Sequence, residues 1–252
     1  MKHLYIIITV LAASFFISCD HDGWLERDSK DTITDEQMWN DPALIKSLLA
    51  NYYNRLPQLH GDFNTGGMSE IDDAMWSGHN DGNGRNDFQY GDSYGRYWDY
   101  GLIRDINLSL DNIDEYSVRL EEPTKKLFVA ELRFIRAFIY FDLVKRMGGI
   151  PLITEQLIYD FSGDPSYLQE PRSREDVTYD FIYSELEAIK EDLALNNESK
   201  TRANTFTALA LQSRAMLYAG SLAKYNNLMS TPSKTSGGEV GIPADKAGDY
   251  YR

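Results

Sequence analysis

The stretch PTKKLFVAELRFIRAFIYFDLVKRMGGIP, residues 123–151, decides how the chain is read. Leu127, Ala130, Phe134, Ala137, Phe138 and Phe141 recur at intervals that place them along one stripe of an α-helix. Pro123 suits the first turn, where its missing N–H costs nothing, and Gly148, Gly149 and Pro151 close the helix. The same periodicity recurs on both sides. DYGLIRDINLSLDNIDEY (99–116) carries Ile103, Ile106, Leu110 and Ile113 at helical spacing. TDEQMWNDPALIKSLLANYYNRL (34–56) predicts one helix with Thr34 as N-cap, Gln37 completing a capping box, a face through Leu44, Leu48, Leu49 and Tyr52, and Pro57 as its end.

Downstream, SREDVTYDFIYSELEAIKEDL (173–193) offers Ser173 as N-cap, Glu175 and Asp176 at the positive helix end, and Val177, Phe181, Leu186, Ile189 and Leu193 as its apolar face. In NTFTALALQSRAMLYAGSLA (204–223), Ala208, Ala215 and Ala219 permit close backbone approach, with Leu211 and Met216 filling the space between. The pieces predict an all-α fold of two helical hairpins. The hairpins resemble each other: Arg136-Ala137-Phe138-Ile139-Tyr140 aligns with Arg214-Ala215-Met216-Leu217-Tyr218, and Ala130 with Ala208, at a spacing of 78 residues. That period is somewhat over twice the ~34-residue tetratricopeptide unit, so the pattern fits tetratricopeptide-like hairpins with an insertion. Two unrelated amphipathic helices sharing common residues remain the alternative.

The first 18 residues read differently. Lys2 gives a positive start, Leu4 to Ile17 is almost wholly apolar, and the run is shorter than the ~20 residues that span a bilayer core. This is the architecture of a removable secretory signal, 1–18. Ser18 before Cys19, the only cysteine, has the pattern of a lipobox, in which Cys19 becomes the lipidated (palmitate-bearing) first residue of the mature chain. An ordinary signal peptide containing a cysteine is the alternative; the lack of any second cysteine to pair with an exported thiol favours the anchor. The polar residues 19–34 then form a tether, and 35–252 the helical domain. The formal net charge of -14 becomes -15 once Lys2 leaves with the signal, which disfavours nucleic acid and anionic lipid headgroups as partners.

Between the first two helical regions lies a long irregular segment, GDFNTGGMSEIDDAMWSGHNDGNGRNDFQYGDSYGRYWDYG (61–101), with nine of the 18 glycines and eight aromatic residues. Segments of this kind inside compact domains are usually functional or disordered, and the aromatics argue for function. Trp76, Tyr90, Tyr94 and Tyr97 supply rings for stacking on apolar sugar faces; Asp72, Asp73, His79, Asn80, Arg85 and Asp87 supply polar groups for hydroxyls. Whether these rings meet a ligand or pin the segment to the helices stays open; for Trp98, beside the helix start, packing is the favoured reading.

Catalytic patterns fail on specifics. GDSYG (91–95) matches a nucleophile elbow, but His3, His21, His60 and His79 all precede Ser93, where the triad order needs a later histidine. Glu70, Asp72 and Asp73 could be drafted as a glycosidase pair, yet that chemistry needs carboxylates held ~5 Å or more apart across a cleft. DGNGRND (81–87) places Arg85 where a calcium loop needs an acid. No catalytic residue, metal site or cofactor is expected.

The order of these pieces resembles the SusD/RagB family of outer-membrane nutrient-binding lipoproteins. GWLERDSKDTITDEQMWNDPALIKSLLANYYNRL after Cys19 looks like the family's opening, and YWDYGLIRDINLSLDNID is similar to its tryptophan-to-asparagine helix, with Trp98, Ile103 and Asn107 in place. AELRFIRAFIYFDLVKRMGGIPLI resembles the signature helix and its exit turn; PRSREDVTYDFIYSELEAIKEDL with RANTFTALALQSRAMLYAG resembles the next helical pair. The resemblance implies a SusD-like, non-enzymatic lipoprotein on the outer membrane, facing the cell surface, which presents a polysaccharide, oligosaccharide or other nutrient to a SusC-like TonB-dependent transporter. Family members run much longer, so the 35–252 domain is expected to be incomplete at its C-terminus. The rival classes are a helical-repeat scaffold that only docks to its barrel and, more remotely, a surface polysaccharide hydrolase.

Overall fold

The computed structural model describes residues 32–56 and 99–252, except Glu198. Residues 35–252 fall into one unit, and among the described residues the secondary structure is entirely helical. The α-helices are α1 (Asp35–Asn40), α2 (Pro42–Arg55), α3 (Tyr100–Tyr116), α4 (Glu122–Met147), α5 (Glu175–Ile189), α6 (Thr205–Tyr225) and a single turn, α7 (Ala247–Tyr250), joined by loops and short 3-10 turns.

The expected single helix over 34–56 is two helices. Pro42 cannot donate to the turn before it, so α1 stops at Asn40 and α2 restarts with Asp41 as N-cap, its Oδ1 accepting from the Ala43 N–H at 2.8 Å. The buried face of α2 is Ile45, Leu49 and Tyr52, with Leu44 and Leu48 only half-buried at its margin. Leu56 ends the helix at ψ 142°, the extended conformation that a following proline imposes.

α4 is the centre of the fold. Its 26 residues reach about 39 Å at 1.5 Å per residue, and α2, α3, α5 and α6 all pack on it. Accordingly the stripe read from the sequence is only part of what it buries: Phe128, Leu132, Ile135, Ile139, Tyr140, Leu143 and Val144 are buried too, on other sides of the helix. A helix buried nearly all round is one with neighbours on all sides, and here the buried set includes Glu131, Arg136 and Asp142. α3 joins α4 in one hairpin through Leu102, Ile103, Ile106 and Ile113, and α5 with α6 forms the second. Ala208, Ala215, Ala219, Gly220 and Ala223 line the buried side of α6, as its small-residue spacing predicts.

The 78-residue match holds at the alanines and fails in burial at the larger side chains. Ala130 and Ala208 are each 1% exposed, and Ala137 and Ala215 are both fully buried. Arg136 and Tyr140 are buried in α4, whereas on α6 Arg214 is exposed and Tyr218 only partly covered, its ring edge-on to Phe141 with centroids 5.5 Å apart.

Two expectations about α5 are corrected. Val177 is exposed; Thr178, Tyr179, Ile182 and Glu185 share the buried face with Leu186 and Ile189. Ser173 is not the N-cap: Arg174 takes that position without a side-chain bond, and the Glu175 N–H donates at 2.9 Å to the Gly238 carbonyl, far along the chain. A tertiary contact thus replaces the local cap. The Ser173 N–H meanwhile donates to the Ile150 carbonyl at 3.0 Å, joining the start of α5 to the exit of α4.

That junction explains the paired glycines. Gly148 ends α4 at φ 73°, in the left-handed region, and a Cβ on Gly149 would lie 1.9 Å from the Ser173 carbonyl oxygen. Gly149→Ala is therefore expected to destabilise the chain by roughly 1–3 kcal/mol through forced backbone displacement, read as a lower thermal midpoint with unchanged helicity below it.

Candidate functional site

The residues singled out as ligand contacts, Asp72, Asp73, Trp76, His79, Asn80, Arg85, Asp87, Tyr90, Tyr94 and Tyr97, lie outside the described residues, as do Trp98 and the anchor candidate Cys19. The frame from which their segment springs is described. Arg55, the last residue of α2, holds Asp99 with Nη2 at 3.0 Å from Oδ1, and Asp105 with Nη1 at 2.6 Å from Oδ2. Asp99 in turn caps α3, its Oδ1 accepting the Leu102 N–H at 2.9 Å. One guanidinium therefore fastens the end of α2 to the start of α3, from residues 44 positions apart in sequence. The sequence reading passed over Arg55; the only local signal is a cation at the last helical turn facing two aspartates downstream.

A second set of polar groups holds the exit of α4. Asn107, 1% exposed on α3, accepts from Arg136 Nη1 at 2.8 Å and donates Nδ2 to the carbonyls of Ile153 (3.1 Å) and Glu155 (3.0 Å). Arg136 Nη1 also reaches the Thr154 carbonyl, 3.1 Å away. The Tyr140 hydroxyl donates to the Ile153 carbonyl and accepts the Ile153 N–H, each at 2.8 Å. Tyr100 Oη closes the set on the Pro151 carbonyl at 2.8 Å. In the GGIPLITE segment, which forms no helix or strand, the carbonyls of Pro151, Ile153, Thr154 and Glu155 and the Ile153 N–H are thus satisfied by side chains from α3 and α4.

The counter-charge in this region comes from Glu185 of α5. Arg136 Nη2 lies 2.8 Å from Oε2 and Arg133 Nη2 2.7 Å from Oε1. Burial alone would push the Glu185 pKa up, but the two guanidinium groups outweigh it and hold the carboxyl below its ordinary value. A parallel clamp stands on the other side of α4. Glu131, fully buried, pairs with Arg202 and accepts from Tyr53 Oη at 3.0 Å, while that hydroxyl accepts the Ala203 N–H at 2.9 Å. This joins α2, α4 and the start of α6.

In both clusters every carboxylate is matched by a guanidinium. Elsewhere, the 233–243 loop and Arg174 enclose an open concavity of about 210 Å³, below the roughly 300 Å³ of ordinary small-molecule sites. Among the described residues no group of three His, Cys, Asp or Glu is placed to hold a metal ion, and no helix is long and apolar enough to cross a membrane.

Comparison with known proteins adds a family. Residues 23–217 match a SusD-like family model described as starch-binding and associating with the outer membrane. A SusD-like protein of Formosa agariphila is 24% identical over 216 residues, covering 82% of this chain and 41% of that protein. A solved SusD-like protein from Bacteroides fragilis superposes with a TM-score of 0.54 at 24% identity, covering 83% of this chain and 41% of the other. A second structure from the same species, a SusD-like carbohydrate binding protein, gives a TM-score of 0.52 at 22% identity, covering 72% and 38%. The chain thus spans about two fifths of the length of these relatives.

Because Glu185 has a lowered pKa, its pairing contributes fully above the ordinary carboxylate range and is lost as pH falls through the lowered folded value. Glu185→Gln, which leaves the buried Arg136 without a counter-charge, is expected to cost roughly 3–5 kcal/mol at neutral pH. The gap between variant and parent in urea midpoint should narrow on acidification; a gap independent of pH would refute the assignment.

Proposed function

The chain belongs to the SusD-like family, and from that premise we propose that it is a glycan-binding outer-membrane lipoprotein, anchored through Cys19 after removal of residues 1–18, that hands a polysaccharide or oligosaccharide to a SusC-like TonB-dependent transporter without altering it. The observation that carries this reading is the match over residues 23–217, which takes in the helical frame and the whole aromatic segment between α2 and α3. The frame supports it physically. Arg55 ties the end of α2 to the start of α3, the two described elements between which the aromatic segment runs in sequence. The charge of -14 suits a neutral glycan better than a polyanion.

The test is affinity electrophoresis of the detergent-solubilised full chain in gels containing individual polysaccharides, with product analysis of the same samples. Retardation without released product is expected, and Trp76→Ala or Tyr90→Ala should weaken it by about 1–3 kcal/mol with the melting midpoint retained. A folded chain that no polysaccharide retards would overturn the binding role and leave docking to a barrel as the function. Product released by the parent chain and lost in Asp72→Asn or Asp73→Asn would instead make it a hydrolase.

A further inference from the structure

The most exposed large apolar side chain among the described residues is Phe161, with 88% of its surface open to solvent. It sits at φ 59°, a left-handed conformation that a bulky residue seldom adopts. Nothing about core packing calls for either feature, yet the loop around it is fastened. The Asp160 N–H donates to Tyr167 Oη at 2.6 Å, and that hydroxyl donates to the Ile158 carbonyl at 3.2 Å. The Gly163 N–H donates to Tyr159 Oη at 3.0 Å and the Ser162 N–H to Asp160 Oδ1 at 2.9 Å. The Tyr159 ring meets Phe161 edge-on, with centroids 5.2 Å apart at 62°. The base of the loop is the 153–155 backbone already held by Asn107, Arg136 and Tyr140.

We propose that the 158–167 loop is a carbohydrate-contact site separate from the 61–101 segment, at which the ring of Phe161, oriented by Tyr159, stacks on the apolar face of a neutral sugar. The proposal rests on the glycan-binding reading above and adds to it a second place of contact. Because the ring is already positioned, little ordering remains to be done when a ligand arrives. The ligand class follows from the charge around it. Between Gly148 and Pro171 there is no lysine or arginine, while Glu155, Asp160, Asp164 and Glu170 are all acidic. Such a field repels anionic lipid, nucleic acid and uronate-rich polymers. A neutral sugar offers what this tip can use: a C–H face for the ring and hydroxyl donors for the carboxylates of Asp160 and Asp164. Each carboxylate takes backbone N–H bonds locally and keeps further lone pairs for a ligand.

Phe161→Asn tests this, because asparagine tolerates the left-handed backbone while removing the ring. In the affinity gels, full-length Phe161→Asn is expected to bind the retarding polysaccharide about tenfold more weakly, with a melting midpoint equal to or above the parent's, and Phe161→Trp is expected to restore retardation. Unchanged retardation of Phe161→Asn, with binding lost in Trp76→Ala, would overturn this site while leaving the glycan-binding role standing; the ring would then belong to a protein contact. If the folded parent is retarded by none of the polysaccharides, the glycan-binding role falls and this site with it. A Phe161→Asn chain that loses affinity only because it unfolds, as shown by a lowered midpoint and failure of Phe161→Trp to recover binding, would also count against the site.

Discussion

The contact on which most of the structure depends is that of Arg136 with Glu185. Two charges buried between α4 and α5 are tolerated only because each is matched: the guanidinium meets the carboxylate at 2.8 Å and the side-chain oxygen of Asn107 at the same distance, and the carboxylate takes a second guanidinium from Arg133. The arrangement joins the two helical hairpins to each other and, through Asn107 and the Thr154 carbonyl, to the irregular chain that leaves α4. An apolar contact of the same size would bury as much surface but could not satisfy the carbonyls of residues 153–155.

The same economy recurs at the margins of the fold. Arg55 joins the end of α2 to the start of α3, Arg202 joins Glu131 to the entrance of α6, and Lys246 lies 2.7 Å from Asp176 and 3.0 Å from Asp180, bringing the last turn onto α5. Each is one basic group reaching across elements distant in sequence. In an acidic chain with 39 carboxylates against 25 lysines and arginines, basic groups are the scarcer partner, and many of them are used to fasten helices. Surface left over is acidic, which does not attract polyanions.

Much of this was legible beforehand. The periodicity of residues 123–147, the Pro123 and Gly148 boundaries and the small-residue side of α6 all follow from local rules, because a helix's period and its end signals are properties of a few neighbouring residues. The break at Pro42 is equally local, since a proline inside the run removes a donor and ends the first helix whatever the capping signal at Thr34. Asn107 was noticed only as part of a resemblance; its task of holding the carbonyls of Ile153 and Glu155 depends on a segment nearly fifty residues away. Phe161 gave no signal at all, since a phenylalanine in a loop reads the same whether it packs inward or stands in solvent.

What the sequence by itself determined is the helical class, the placing of most helices and the family to which the chain belongs, since these rest on short-range pattern and on the order of motifs. Only the tertiary structure decided which of those helices is central, why Glu175 is capped by Gly238 and not by Ser173, and which buried charges cancel. Those outcomes depend on groups brought together across tens of residues, where a shift of a few ångströms changes a satisfied charge into an unpaired one, and no local pattern encodes that distance.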